Sequence, residues 1–144
     1  MDRNRGPIGN RLDTLRAVAW LVLARLTVKF LPLSRWQDTL GSLADGQDNS
    51  RGDQRNGTAL GKYWAARVDR AARRLPGEHK CLPQAVALQW LLSQQPVSSR
   101  LVIAAHLQRV DDEHGLHAWV ESQGAMLIGH CDKADYRSIA IFEQ

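Results

Sequence analysis

The chain has 144 residues, enough for one domain, or one domain with a helical appendage, and for a core that needs no disulfide staples. With 44% apolar and 24% charged residues the composition is that of an ordinary globular protein, which excludes chain-wide disorder. A net charge of +4 is too small to argue for nucleic acid, but it is unevenly placed: residues 1–80 hold 15 basic and 8 acidic residues, residues 81–144 hold 4 and 7.

Residues 1–11 are polar, basic and contain Gly and Pro, which predicts a frayed end. From Leu12 to Leu31 the positions Leu12, Leu15, Val18, Val22, Leu26 and Phe30 recur at spacings of 3 and 4, one face of a helix that Pro32 limits. A short second helix is expected over Ser34–Leu43, with Ser34 as its N-cap. Residues 44–58 hold three Gly and several Asp and Asn and read as a loop. Helix signals resume at Thr58, a candidate cap, with the stripe Leu60, Trp64, Val68, Ala71 and Leu75, and Pro76-Gly77 stops them. Arg67, Arg70, Arg73 and Arg74 decorate that helix, as a solvated face or as a surface for an anionic ligand. Cys81-Leu82-Pro83-Gln84 then opens a helix that runs to about Gln94, and Pro96 ends it. Pro83 suits a first helical turn, so Cys81 falls at or just before the helix N-terminus.

After Pro96 the period changes. Leu101–Val110, His117–Glu121, Ala125–Gly129 and Tyr136–Phe142 read as short strands, with Ser122-Gln123-Gly124 as a turn. Helices first and antiparallel strands after them predict an α+β fold. The expected organisation is a helical lead-in over 1–43, a flexible linker over 44–58 and a core over 59–144. The longest apolar run, Ala17–Ala24, is far short of the about 20 residues that span a bilayer. Asp13 in its flank, and Arg25 and Lys29 continuing the helical pattern, argue against a signal peptide. The short run gives no expectation of stable membrane insertion, and two cysteines without a CxxC fit a reducing cytoplasm.

The chemistry centres on Cys81. A helix N-terminus stabilises a thiolate, and His79 and Lys80 add positive charge; the competing reading is a buried structural cysteine. His117 is its natural partner. In a strand His117, Trp119 and Glu121 share one face, and a histidine on a strand packed against the Cys81 helix can take the thiol proton. The cluster His114, His117, His130, Cys131 and Asp132 has zinc-type ligands but not the helical spacing of a protease zinc site, and no metal is expected. Phosphate loops, dinucleotide fingerprints and serine elbows are absent from the sequence, and no cofactor is expected. Trp20, Trp64 and Trp90 fall in helical patterns that suit core packing.

The pairing of CLPQAVALQWLL (81–92) with HAWVE (117–121) resembles the leader peptidases of lasso-peptide maturation, over roughly residues 58–144. The amphipathic segment 12–43 is similar to the helical lead-in of the short, split form. The resemblance implies a transglutaminase-like, papain-related cysteine-protease core that removes the leader from a ribosomally made precursor peptide. It implies as partners a small leader-binding protein and an ATP-dependent cyclase, and no nucleic acid. By it Cys81 is the nucleophile and His117 the general base and acid. The family's orienting Asp lies about twelve residues after the histidine. That spacing falls here on Gly129, and the nearest acid is Asp132, which takes the role through a shifted strand end unless a backbone carbonyl or another polar side chain does. Trp119, Glu121, Arg67, Arg70 and Arg74 are the candidate residues for substrate or partner binding. The rival expectations are acyl transfer to an amine on the same fold, and a non-catalytic adaptor in which Cys81 and His117 are structural.

Overall fold

The structure, a computed structural model, describes residues 7–43, 54–77, 80–109 and 115–144. Helix α1 (Pro7–Phe30) opens on a proline, whose fixed φ suits a first turn, and ends just ahead of Pro32. The expected helix at 34–43 is only partly helical. Four residues, α2 (Leu33–Trp36), are followed by a 3₁₀ turn over Gln37–Leu40, and the strand β1 (Ser42–Leu43) takes the rest. Ser34 lies inside α2 and caps nothing; the cap position is held by Pro32, in extended conformation. Gly41, at φ +115°, turns the chain into β1 where any Cβ would collide with the Glu143 carbonyl oxygen.

Helix α3 (Gln54–Arg74) begins earlier than the sequence suggested, so Thr58 sits within it and is no cap, and residues 54–58 are helix where a loop was expected. The remainder of that loop, 44–53, lies outside the described residues. Trp64, Val68 and Ala71 of the predicted stripe are buried, with Leu60 and Leu75 at its edges. Helix α4 (Cys81–Ser93) is buried on nearly every side from Pro83 to Leu92, as a helix apolar all round must be.

Five antiparallel strands form one sheet in the order β1-β5-β2-β3-β4. Beside β1 these are β2 (Arg100–His106), β3 (Leu116–Ser122), β4 (Ala125–Ile128) and β5 (Tyr136–Glu143). Gln123 and Gly124 both have positive φ, at 53° and 77°, the geometry of a tight two-residue hairpin turn between β3 and β4. The helices cover one face of the sheet. Leu101, Ala118, Val120 and Phe142 point into the same apolar cluster as Trp64 of α3, Leu88 of α4, and Ala17, Leu21 and Ala24 of α1. Alternate residues, Val102, Ala104 and Trp119, form a smaller cluster on the opposite face with Tyr136 and Cys131.

Gln89 is fully buried in the core, and its side chain is bonded at both ends. Gln89 of α4 donates through Nε2 to the carbonyls of Leu40 (2.8 Å) and Phe142 (3.3 Å) and accepts from Ser99 Oγ (2.9 Å). It thereby locks α4 to the 3₁₀ turn and to β5, and a buried amide costs little when its partners are present.

Candidate active site

Cys81 is the first residue of α4. Lys80 ahead of it makes no side-chain cap. The helix arrives beside β3 where β4 has ended, since the β3–β4 pairing stops at Val120↔Ile128. There the Cys81 thiol meets the His117 imidazole and the backbone N–H of Ala118. Burial pushes the thiol pKa up. The hydrogen bond with His117, the Ala118 N–H, the imidazole charge and the N–H of Cys81 itself outweigh burial and leave it below its ordinary value. His117 moves the opposite way: its bond with Cys81 raises it, against desolvation, helped by the Gly129 carbonyl and the thiolate charge. The two shifts share one cause, the Cys81–His117 hydrogen bond, which favours thiolate and imidazolium together.

The orienting group is a backbone oxygen. His117 Nε2 lies 2.7 Å from the Gly129 carbonyl, which can only accept, so Nε2 carries a proton and Nδ1 is left for the thiol. Gly129 reaches this position at φ +76°, and a Cβ there would collide with the Ala118 carbonyl oxygen. Asp132, the acid expected to orient His117, is not brought to it. It caps the 3₁₀ turn Lys133–Asp135, accepting from Ala134 N at 3.0 Å. The sequence spacing pointed at the right residue, twelve after the histidine, but through its main chain rather than a side chain.

Aromatic rings wall the histidine. Its centroid is 5.3 Å from that of Tyr136 and 6.1 Å from that of Trp119, and His106 meets Tyr136 edge-on at 5.1 Å. Sequence reasoning missed Tyr136 and His106, because only the β2–β5 pairing His106↔Tyr136 brings them beside β3. Trp119 and Glu121 share the face with His117, as expected. Trp119 is buried and donates to Glu121 Oε2 (3.1 Å), which also accepts from Lys133. Of the arginines, Arg67 is buried, its guanidinium 3.5 Å from the Tyr63 ring centroid and bonded to Asn10, so it belongs to the α1–α3 contact and not to an open surface. Arg70 and Arg74 are exposed on α3, and Arg73 pairs with Asp69 at 2.9 Å. His79 and His114 lie outside the described residues. Among those described, no group of His, Cys, Asp and Glu is placed to hold a metal ion.

A cysteine opening a buried helix against a histidine on an antiparallel strand is an arrangement that thiol chemistry can use. Residues 24–141 match the transglutaminase-like superfamily. The chain belongs to that superfamily. The expected α+β class, helices first and antiparallel sheet after, holds in this transglutaminase-like chain. The superfamily includes cysteine proteases and acyltransferases. No curated protein and no solved structure matches the chain. No described helix is long and apolar enough to cross a membrane.

Proposed function

We propose that this transglutaminase-like protein is a cysteine peptidase that cleaves the leader from a ribosomally made precursor peptide in lasso-peptide maturation. In this reading a separate small leader-binding protein presents the precursor and an ATP-dependent cyclase takes the freed core. The observation that carries the catalytic part is the Cys81–His117 pair, with the thiol lowered and the imidazole raised. The substrate class rests on the sequence resemblance of segments 81–92 and 117–121.

The Cys81 thiolate attacks the carbonyl of the last leader residue, forming the C–S bond. The oxyanion is met by the Cys81 backbone N–H at the start of α4, where the helix dipole also favours negative charge. His117 gives its Nδ1 proton to the departing amine as the C–N bond breaks. Nδ1 then takes a proton from water, whose oxygen attacks the thioester, and the C–S bond breaks to return the thiolate. Throughout, the Gly129 carbonyl holds Nε2–H and keeps the ring in one tautomer.

The test is incubation of the full chain with precursor peptide, with and without the leader-binding protein, read by product mass. Cys81→Ala should lower cleavage by at least about 10⁴-fold, and His117→Ala nearly as much. The double variant should be no slower than Cys81→Ala, because the pair acts as a unit. Cleavage by Cys81→Ala at the wild-type rate would overturn the reading. A product carrying a new amide to an amine would assign acyl transfer instead.

A further inference from the structure

Helix α1 carries two apolar stripes, and the domain uses only one. Ala17, Leu21 and Ala24 are fully buried against α3 and α4. On the opposite side Leu12, Leu15, Val22, Leu23, Leu26 and Phe30 are 40–68% exposed, and their i, i+3/i+4 spacing makes them one continuous ridge along the helix. Contiguous exposed apolar surface of this kind marks an interaction site, not ordinary scatter.

The charges around the ridge say what covers it. By helical spacing Arg11 and Lys29 line one flank, both exposed, while Arg16 on the other flank is turned to the domain, bonding Gln94 and lying over Trp64. The only acidic residue of α1, Asp13, is buried on the core side, where it accepts from Tyr63. A second copy docked by the same face would set these cations against their own counterparts, so charge disfavours a homodimer. A lipid-surface helix keeps a broad, strongly charged polar face and leans on more than one anchoring signal. Here the other face of α1 is packed into the domain, and a single aromatic residue, Phe30, stands on the ridge.

We infer that the outward ridge of α1 is a docking surface for a protein partner that presents an apolar helix flanked by carboxylates. Arg25 Nη1 donates to the Pro76 carbonyl at 2.9 Å, fastening α1 to the turn that precedes α4, and Cys81 opens α4. The docking surface stands by itself; only the statement that the partner delivers peptide rests on the peptidase reading.

The test uses the full chain and a fluorescent synthetic helix of about 20 residues, long enough to follow α1, with leucines at i, i+3, i+4 and i+7 and glutamates on both flanks. A second peptide carries lysines in place of the glutamates, and phosphatidylglycerol vesicles are the third probe. The acidic peptide should bind and the lysine peptide should not. Leu26→Ser with Phe30→Ser should weaken binding about tenfold or more. Arg11→Glu with Lys29→Glu alters charge without touching packing and should transfer preference to the lysine peptide. Equal binding of both peptides, no binding of the acidic one, or affinity unchanged by either pair of substitutions overturns the inference. So does binding of the vesicles alone, or a dimer in light scattering that Leu26→Ser with Phe30→Ser dissolves. No substrate enters these assays, so peptide binding with failed precursor cleavage would sink the peptidase reading alone, and the reverse result the docking surface alone.

Discussion

Gly129 holds His117 with a carbonyl where related enzymes are expected to use a carboxylate. A neutral acceptor fixes the tautomer as a carboxylate would, but it offers the imidazolium a dipole in place of a full charge. The stabilisation of the imidazolium therefore comes first from the Cys81 thiolate, which is the leading cause of the raised His117 pKa. Asp132→Ala should leave cleavage close to wild type and cost about 1 kcal/mol or less from the lost cap. Gly129→Ala should cripple cleavage, since the left-handed backbone alone costs an L-residue about 1–2 kcal/mol and the added methyl meets the Ala118 carbonyl. Initial rates and urea melts of both variants separate the two roles, and the reverse ranking would return the orienting role to Asp132. The pair also sets the pH of thiol reactivity. The lowered thiol pKa favours thiolate and the raised imidazole pKa favours imidazolium, so Cys81 reactivity should appear at lower pH than that of an ordinary cysteine. Cys131 has its thiol pushed up, chiefly by burial. Iodoacetamide should therefore label Cys81 at lower pH than Cys131. In His117→Ala the strongest influence favouring the thiolate is gone, and the Cys81 labelling curve should move to higher pH. Labelling of both cysteines along one curve would contradict the ion pair.

At the scale of elements, α1 and α3 show what periodicity can and cannot decide. On α3 the apolar stripe faces arginines and a lysine on the other side, so the buried residues Trp64, Val68 and Ala71 were legible in the sequence. On α1 the larger side chains at 12, 15, 22, 26 and 30 form the more visible stripe, yet they point outward, and of the predicted face only Val18 packs on the core. The core takes Ala17, Leu21 and Ala24 because two alanines let the α1 backbone come close to α3 and α4. Close packing selects small residues there, and single-sequence hydrophobicity favours large ones. Cys81 and His117 were legible because Pro83 marks a first helical turn and the alternation at 117–121 marks a strand. Gly129 was not, because a carbonyl has no sequence signature. The consequence for α1 is measurable. Ala17→Leu, although more apolar, should cost about 1–3 kcal/mol through overpacking. Leu15→Ala on the outward ridge should stay within about 0.5 kcal/mol. Urea midpoints at constant slope test the pair, and the opposite order would place the ridge in the core.

Across the whole molecule, the basic excess of the first 80 residues and the apolar core cross the same elements. Part of that excess is structural, since Arg67 bonds Asn10, Arg16 bonds Gln94 and lies over Trp64, and Arg25 holds the Pro76 turn. Each of these contacts joins α1 either to α3 or to an end of α3 or α4. The apolar cluster does the same: Ala17, Leu21 and Ala24 share it with Trp64, Leu88 and Phe142, and Trp20 meets Trp90 at 5.6 Å. A lead-in attached by a linker would leave the rest of the chain folded when removed. A chain lacking residues 1–30 would instead uncover Trp64, Trp90 and the outer side of α4, whose residues from Pro83 to Leu92 are nearly all buried. Exposing that much apolar surface removes the main favourable contribution to folding, so the shortened chain should bind anilinonaphthalene sulfonate, lose near-ultraviolet dichroism and melt without a cooperative transition. Gln89 should report the same loss early, because its bonds to Leu40 and Phe142 depend on α4 being clamped between helices and sheet. A sharp two-state melt of the shortened chain, with Cys81 still labelled at low pH, would show that α1 is an appendage and that α3, α4 and the sheet hold the catalytic pair without it.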